Sequence, residues 1–159
     1  MLVPPEVTTA MLAAEFPPAA SWAGRHDWEL VLDSNGPEVA AEFNHPQGGR
    51  LRLVGGFDDY PALPPSWQFV DSAGDPTPSA WPVAGALPGL SSIFIATRSG
   101  PVICAHFSRY AYADYGGPHG NWGGASRWRD VEEGARALTL GDMLAVIARH
   151  VAVSPGRAR

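Results

Sequence analysis

Four short apolar runs bounded by turn-forming residues constrain the fold of this chain more than any other feature. They occupy residues 28–32, 39–43, 51–54 and 67–70, and each partly alternates apolar with polar side chains. An Asn35-Gly36-Pro37 turn signal precedes the second run, and Gly48-Gly49 precedes the third. Consecutive short strands with short connections are typical of an antiparallel meander. The sequence therefore predicts a four-stranded antiparallel sheet.

Helical patterns flank this predicted sheet on both sides. Residues 5–16 indicate a short helix that Thr8 or Thr9 caps and that Pro17 and Pro18 end. Near the C-terminus, residues spaced three and four apart are apolar between Leu140 and Val151, which predicts an amphipathic helix.

Several local features support this last helix. Thr139 stands at its N-cap position, Asp142 lies in its first turn, and Arg149 and His150 have the sign that suits its last turns. We expect the apolar face of the helix to join the core. The expected fold class is α+β, with an N-terminal helix, a four-stranded antiparallel meander and a C-terminal helix packed on the sheet.

Length and composition favour one globular domain over residues 1–159. The chain has 159 residues, of which 45% are hydrophobic and 17% charged, and this argues against disorder. A net charge of −5 argues against a nucleic-acid partner. No apolar run approaches a membrane span, and the N-terminal segment lacks the basic residues of a signal peptide. We therefore expect a cytoplasmic protein without a membrane partner.

Cys104 is the single cysteine of the chain and the first candidate catalytic residue. It follows an apolar segment and precedes a loop region that carries His106, His119 and Asn121. A thiolate is a strong nucleophile that a neighbouring histidine activates, and an asparagine amide stabilises a developing oxyanion. The alternatives are an inert buried cysteine and a surface loop with incidental polar residues.

Cofactor and metal sites have weaker sequence support. The glycine pairs do not form a nucleotide-binding pattern, and a chain without lysine has no Walker lysine. Cys104, His106 and His119, with Asp114 as a fourth ligand, are the candidate zinc ligands, but their spacing matches no metal-binding motif. We therefore expect no metal and no organic cofactor.

The order of these features resembles the E2 ubiquitin-conjugating enzymes of the UBC fold, over roughly residues 13–155. Three motifs support the resemblance. The segment Tyr60-Pro61-Ala62-Leu63-Pro64-Pro65 is similar to the flap that precedes the fourth strand of that family. Gly100-Pro101-Val102-Ile103-Cys104 is similar to the approach to its active-site cysteine, and Trp122 or Trp128 to a tryptophan downstream. Residues 138–144 are similar to the start of the following helix.

The chain also departs from the family pattern. The His-Pro-Asn triplet that usually precedes the cysteine is missing, since the corresponding residues 92–96 read Ser-Ile-Phe-Ile-Ala. The His45-Pro46 pair lies between the second and third strands instead. These departures resemble the divergent E2-like proteins of bacterial ubiquitin-like pathways, in some of which the polar partner follows the cysteine.

The resemblance implies a transferase that carries a ubiquitin-like modifier as a thioester on Cys104. An E1-like activating enzyme would supply the modifier, and a protein acceptor would receive it. His119 or His106 would orient or deprotonate the acceptor, and Asn121 would donate to the oxyanion. The absence of lysine is compatible with such an enzyme, because it removes amines that the acyl group could modify. Codon bias is the simpler explanation, so this absence is not diagnostic. The competing hypotheses are a catalytically inert UBC-fold module and an unrelated cysteine hydrolase that uses Cys104 and His119.

Overall fold

The computed structural model describes residues 2–33 and 35–158 and has α+β architecture. Its main elements in chain order are α1 (Pro5–Arg25), β1 (Glu29–Asp33), β2 (Glu38–Asn44), β3 (Arg50–Gly56), β4 (Ser66–Phe69), β5 (Phe94–Thr97), β6 (Gly100–Ile103) and α2 (Leu140–Ala152). Short 3₁₀ turns fill much of the connection between β6 and α2. No helix of the described residues is both long enough and apolar enough to cross a membrane.

The predicted four-stranded meander is confirmed. Strands β1 to β4 lie in sequence order, and each pairs antiparallel with the next. In β2 and β3 every second side chain is buried, as the alternation of apolar residues requires. The buried face supplies Val39, Ala41 and Phe43 from β2 and Leu51 and Leu53 from β3 to the core.

Helix α1 is longer than predicted, because it continues through Pro17 and Pro18 to Arg25. A proline inside a helix removes one hydrogen bond and crowds the preceding turn, but its φ angle is compatible with the helix. The second half of α1 buries Ala19 and Ala23, and this packing outweighs the local cost. The predicted threonine cap is wrong: the N-cap is Pro4, and the Thr8 hydroxyl donates to the carbonyl of Tyr60 at 2.6 Å.

Helix α2 begins and ends close to its predicted bounds. The Thr139 side chain accepts a hydrogen bond from the backbone N–H of Asp142 at 3.3 Å, as the capping prediction requires. The apolar face of α2 joins the core through Leu140, Met143 and Leu144 among others. Its main packing partner is α1, whereas we expected it to lie chiefly on the sheet.

One carboxylate joins α1, the segment after β3 and the start of α2. Glu15 accepts from the hydroxyl of Tyr60 at 2.9 Å and from the backbone N–H of Leu140 at 2.7 Å. Both hydrogen bonds involve an ionised acceptor, which makes them stronger than neutral ones. The N-terminal helix, residue 60 and the last helix are therefore held at one point.

Residues 60–65, which we call the flap, are fixed by side chains from the region after Cys104. The Arg109 guanidinium donates to the carbonyl of Pro64 at 3.0 Å and to the carbonyl of Asp58 at 2.6 Å. The indole N–H of Trp128 donates to the carbonyl of Pro61 at 3.0 Å. These contacts hold the flap beside the cysteine-bearing segment.

Strands β5 and β6 form a separate two-stranded antiparallel sheet. The pairing of residues 94–97 with residues 100–103 was not predicted from the sequence. Pro101 lies opposite Ala96 in this hairpin, and proline is tolerated in edge strands. The hairpin delivers Cys104 directly after its second strand.

Candidate functional site

Cys104 lies at the end of β6 in the wall of a cavity of about 490 Å³. Its backbone N–H donates to the carbonyl of Ile93 at 2.6 Å, which anchors the residue to the segment immediately before β5. The thiol is partly buried. The cavity is lined by residues 89–93, 133–135, Cys104, His119, Asn121, Trp122 and His150. The predicted nucleophile is therefore accessible from a concave surface.

His119 is the polar partner of the thiol. Its Nε2 atom lies 2.5 Å from Sγ of Cys104, although the residues are 15 positions apart. Backbone hydrogen bonds fix the loop: His119 N–H donates to Ala111 at 3.0 Å, and Gly117 N–H donates to Tyr112 at 2.8 Å. The residue types predicted a histidine partner for the thiol, whereas the family resemblance implied a role for His119 toward the acceptor. The geometry pairs His119 with the thiol.

Gly117 allows the loop backbone to approach residues 110 and 111 closely. A Cβ added at Gly117 would lie 2.5 Å from the carbonyl oxygen of Ala111 and still closer to other backbone atoms of Tyr110 and Ala111. Real Cβ atoms do not reach such distances. The position of His119, two residues later, depends on this glycine.

Burial determines the protonation state of the thiol. It raises the pKa of Cys104 to about 11, because a thiolate loses solvation in the partly buried site. At neutral pH the thiol is therefore protonated, within hydrogen-bonding distance of Nε2 of His119. The pair is a thiol with a base in contact, ready for proton transfer when an electrophile arrives.

The imidazole of His119 is stacked on the indole of Trp122. The two ring centroids are 3.7 Å apart, and the ring planes differ by 4°. His119 is the N-cap residue of a 3₁₀ turn over Gly120–Trp122, in which side chains three residues apart eclipse one another. The resemblance indicated Trp122 as a possible family tryptophan, and its contact with His119 was not predicted. Its spacing of three from His119 was the signal for this contact.

Asn121 lines the same cavity and is exposed. It lies two residues after His119 on the same turn, so its amide belongs to the wall that carries the Cys104–His119 pair. An amide N–H₂ in this position is a suitable donor for an oxyanion that forms on an acyl group bound to the thiol. Three predicted site residues, Cys104, His119 and Asn121, are thus brought together.

His106, the fourth predicted site residue, does not line the cavity. Its ring is fully buried: Nε2 accepts from the backbone N–H of Ala137 at 2.8 Å, and Nδ1–H donates to the carbonyl of Trp128 at 2.7 Å. With both nitrogens engaged, no atom is left for proton transfer with a substrate. The chain turns directly after Cys104, since Ser108 N–H donates to Ala105 at 2.9 Å. This turn directs His106 into the core, where it supports the fold.

His150 is a cavity residue that the sequence did not indicate. It lies in the last turn of α2, is only 3% exposed, and lines the cavity together with Cys104. Burial lowers the pKa of His150, which disfavours the charged form that we expected to stabilise the helix end. Its position follows from how α2 docks, which the periodicity of the helix alone does not reveal.

The zinc alternative finds no support in the part of the chain that the structure describes. Within residues 2–33 and 35–158, no three His, Cys, Asp or Glu side chains are grouped to hold a metal ion. The Asp114 carboxylate instead accepts a hydrogen bond from the backbone N–H of Ala125 at 3.1 Å. Asp114 therefore orders the loop after the cysteine.

No protein-family model, curated protein or solved structure gives a significant match to this chain.

Proposed function

We propose that this protein is an E2-like conjugating enzyme of a bacterial ubiquitin-like pathway, which carries a modifier as a thioester on Cys104. The observation that carries the proposal is the contact between the partly exposed thiol of the single cysteine and Nε2 of His119. The order of N-terminal helix, four-stranded meander, flap, cysteine and C-terminal helix supports a UBC-like identity. The proposed partners are an E1-like enzyme and a protein acceptor, in the cytoplasm.

The proposed charging step exchanges one thioester for another. Sγ of Cys104 attacks the carbonyl carbon of the modifier thioester while the thiol proton passes to Nε2 of His119. A C–S bond forms to Cys104, and the C–S bond to the donor thiol breaks. The departing thiolate takes the proton from His119, so the imidazole returns to its neutral form. The modifier is then transferred to the acceptor nucleophile in a second exchange.

Asn121 is the proposed donor to the oxyanion of this reaction. The backbone N–H of Cys104 already donates to Ile93 and is therefore not free for this role. The Asn121 amide is exposed on the same turn as His119. It replaces, in this proposal, the asparagine of the missing His-Pro-Asn triplet.

A peptide thioester of 2-mercaptoethanesulfonate that ends in two glycines tests the proposal without the natural partners. We expect wild-type protein to gain one acyl group, detected as a mass increase that dithiothreitol removes. Cys104→Ala abolishes this adduct, and His119→Gln slows its formation at least tenfold, because the base is lost. The chain has one cysteine and no lysine, so the acyl group can attach to one thiol and to no side-chain amine.

The same assay separates the carrier from a catalytically inert UBC-fold module. An inert module predicts no adduct above the level that an isolated thiol of the same pKa gives, and no dependence on His119. A reducible adduct that persists in Cys104→Ala also contradicts the assignment. Asn121→Ala, which leaves the thiol and its base in place, should slow acylation less than His119→Gln does.

A cysteine hydrolase is the second candidate, and the cavity at the thiol favours it. A volume of about 490 Å³ lies in the range of small-molecule sites, whereas a modifier carrier needs only a shallow surface. A hydrolase resolves the acyl-enzyme with water, so it releases free peptide acid over many turnovers. In the peptide thioester assay a carrier accumulates the adduct, and a hydrolase accumulates product acid instead.

A further inference from the structure

The stack between Trp122 and His119 has a consequence for proton transfer from the thiol. When Cys104 gives its proton to Nε2, the imidazole becomes a cation whose ring lies over the indole face. A cation within about 6 Å of an indole centroid is attracted by the negative face of the ring. The observed centroid separation is 3.7 Å, with the ring planes 4° apart. The neutral imidazole gains less from this face-to-face arrangement, since neutral aromatic pairs favour offset or edge-on contacts.

The indole of Trp122 also contacts a second aromatic ring. The Tyr112 ring meets Trp122 edge-on, with centroids 5.5 Å apart and planes at 65°. Tyr112 is fully buried, and its hydroxyl donates to the backbone carbonyl of His106 at 2.6 Å. The Trp122 indole is thus connected to the core through Tyr112, and it holds the His119 ring in one orientation.

We propose that Trp122 is a positioning residue that aims His119 at the thiol and stabilises the imidazolium–thiolate pair once the proton has moved. It acts through His119 and does not itself touch the reacting sulfur in this proposal. The role rests on the Cys104–His119 pair of the proposed function, but it requires neither a modifier nor an acceptor. Any chemistry that uses a Cys104 thiolate at neutral pH would depend on it.

The pH dependence of Cys104 alkylation tests this role. Iodoacetamide is the probe: the thiolate sulfur forms a C–S bond, iodide leaves, and the proton on His119 passes to solvent. Cys104, Glu133 and His150 are the other titratable groups that line the cavity with His119. In wild-type protein we expect a measurable alkylation rate at pH 7, because His119 accepts the thiol proton as the sulfur reacts.

We expect Trp122→Leu to lower the alkylation rate at pH 7 by roughly 2- to 30-fold, the range that the loss of a cation–π contact gives. The deficit should shrink steadily toward pH 10, where hydroxide removes the thiol proton without forming an imidazolium. Trp122→Phe retains an aromatic face and should restore most of the rate at pH 7. A purely structural role predicts a change that is equal at all pH values and no rescue by phenylalanine.

Trp22 offers a matched control. It is also partly buried and also stacks on a histidine, His26, with ring centroids 4.6 Å apart, but it belongs to α1. Trp22→Leu should leave the alkylation profile unchanged. An unchanged rate in Trp122→Leu at pH 7, with the fold intact by circular dichroism, would overturn the proposal. That result would leave acylation of Cys104 by the peptide thioester as a separate question, so the two proposals fail independently.

Discussion

A methyl group added at Gly117 tests how the site is assembled. In Gly117→Ala the new Cβ would lie 2.5 Å from the carbonyl oxygen of Ala111, whereas ordinary contacts of this kind begin at 3.4 Å. The two backbone segments must therefore separate by roughly 1 Å, an overpacking that costs about 1–3 kcal/mol of folding free energy. Because His119 follows two residues later, its Nε2 atom moves away from Sγ by a similar distance.

The expected effect on reactivity is large compared with the effect on stability. A misplacement of about 1 Å between reacting groups lowers rates by roughly 100-fold. We therefore expect acylation by the peptide thioester to fall by about two orders of magnitude in Gly117→Ala. The midpoint of thermal unfolding should fall by roughly 2–12 °C for a chain of this size. The assay compares acylation rates at a temperature where circular dichroism shows the variant to be folded.

Gly120→Ala is the matched control on the same loop. Its Cβ would meet only the Ala113 Cβ, at an ordinary 3.9 Å. This variant should acylate within about twofold of wild type and be slightly more stable, because alanine has less conformational entropy to lose. If folded Gly117→Ala reacts at the wild-type rate, the close approach of the two backbone segments is not what positions His119, and our reasoning about the site is refuted.

Three further predictions concern stability, and urea denaturation checks each of them. Arg109→Met should lower the free energy of unfolding by about 2–4 kcal/mol, because it removes the donors to two backbone carbonyls. Asp58→Asn should lower it by less than about 1 kcal/mol, since the Asp58 side chain is 67% exposed. Equal losses would show that the ion pair dominates. Pro18→Ala should raise the free energy of unfolding by about 2 kcal/mol. Removing the interior proline relieves a penalty of about 3 kcal/mol, and the more flexible unfolded chain takes back about 1 kcal/mol. A decrease in stability would mean that the proline ring itself packs favourably. Burial lowers the pKa of His106, so its stabilising contribution is present above pH 6.5 and is lost as the pH falls below that value. In that range His106→Gln should reduce the slope of unfolding free energy against pH by up to about 1.4 kcal/mol per pH unit. An unchanged slope would contradict the buried, neutral role of His106.

The sheet and the last helix were predictable because local patterns determine them. Alternating apolar residues with turn signals fixed the meander, and the helical spacing with Thr139 as its cap fixed α2. The second half of α1 was missed because Pro17 and Pro18 are local helix breakers, whereas burial of Ala19 and Ala23 is a tertiary effect. The pairing of β5 with β6 was missed for a related reason, since Pro101 weakens the strand signal.

The candidate site was predictable in its chemistry but only partly in its geometry. Residue type and loop membership were sufficient to group Cys104, His119 and Asn121. His106 lies closer in sequence to the cysteine, but the turn after residue 104 directs its ring inward, and sequence distance carries no information about this. Trp122 and His150 reach the cavity through a 3₁₀ turn and through helix docking, respectively. Both depend on backbone geometry that residue identity does not specify.

The Glu15 carboxylate, which accepts from residues 60 and 140, has a consequence for biosynthesis. Its second partner is 125 residues away, so this partner leaves the ribosome long after Glu15 does. Until then the nascent N-terminal helix lacks α2, the helix that Ala19 meets at Gly141 in the finished protein. The core can therefore close only after α2 has left the ribosome, and the last helix is the element that completes it.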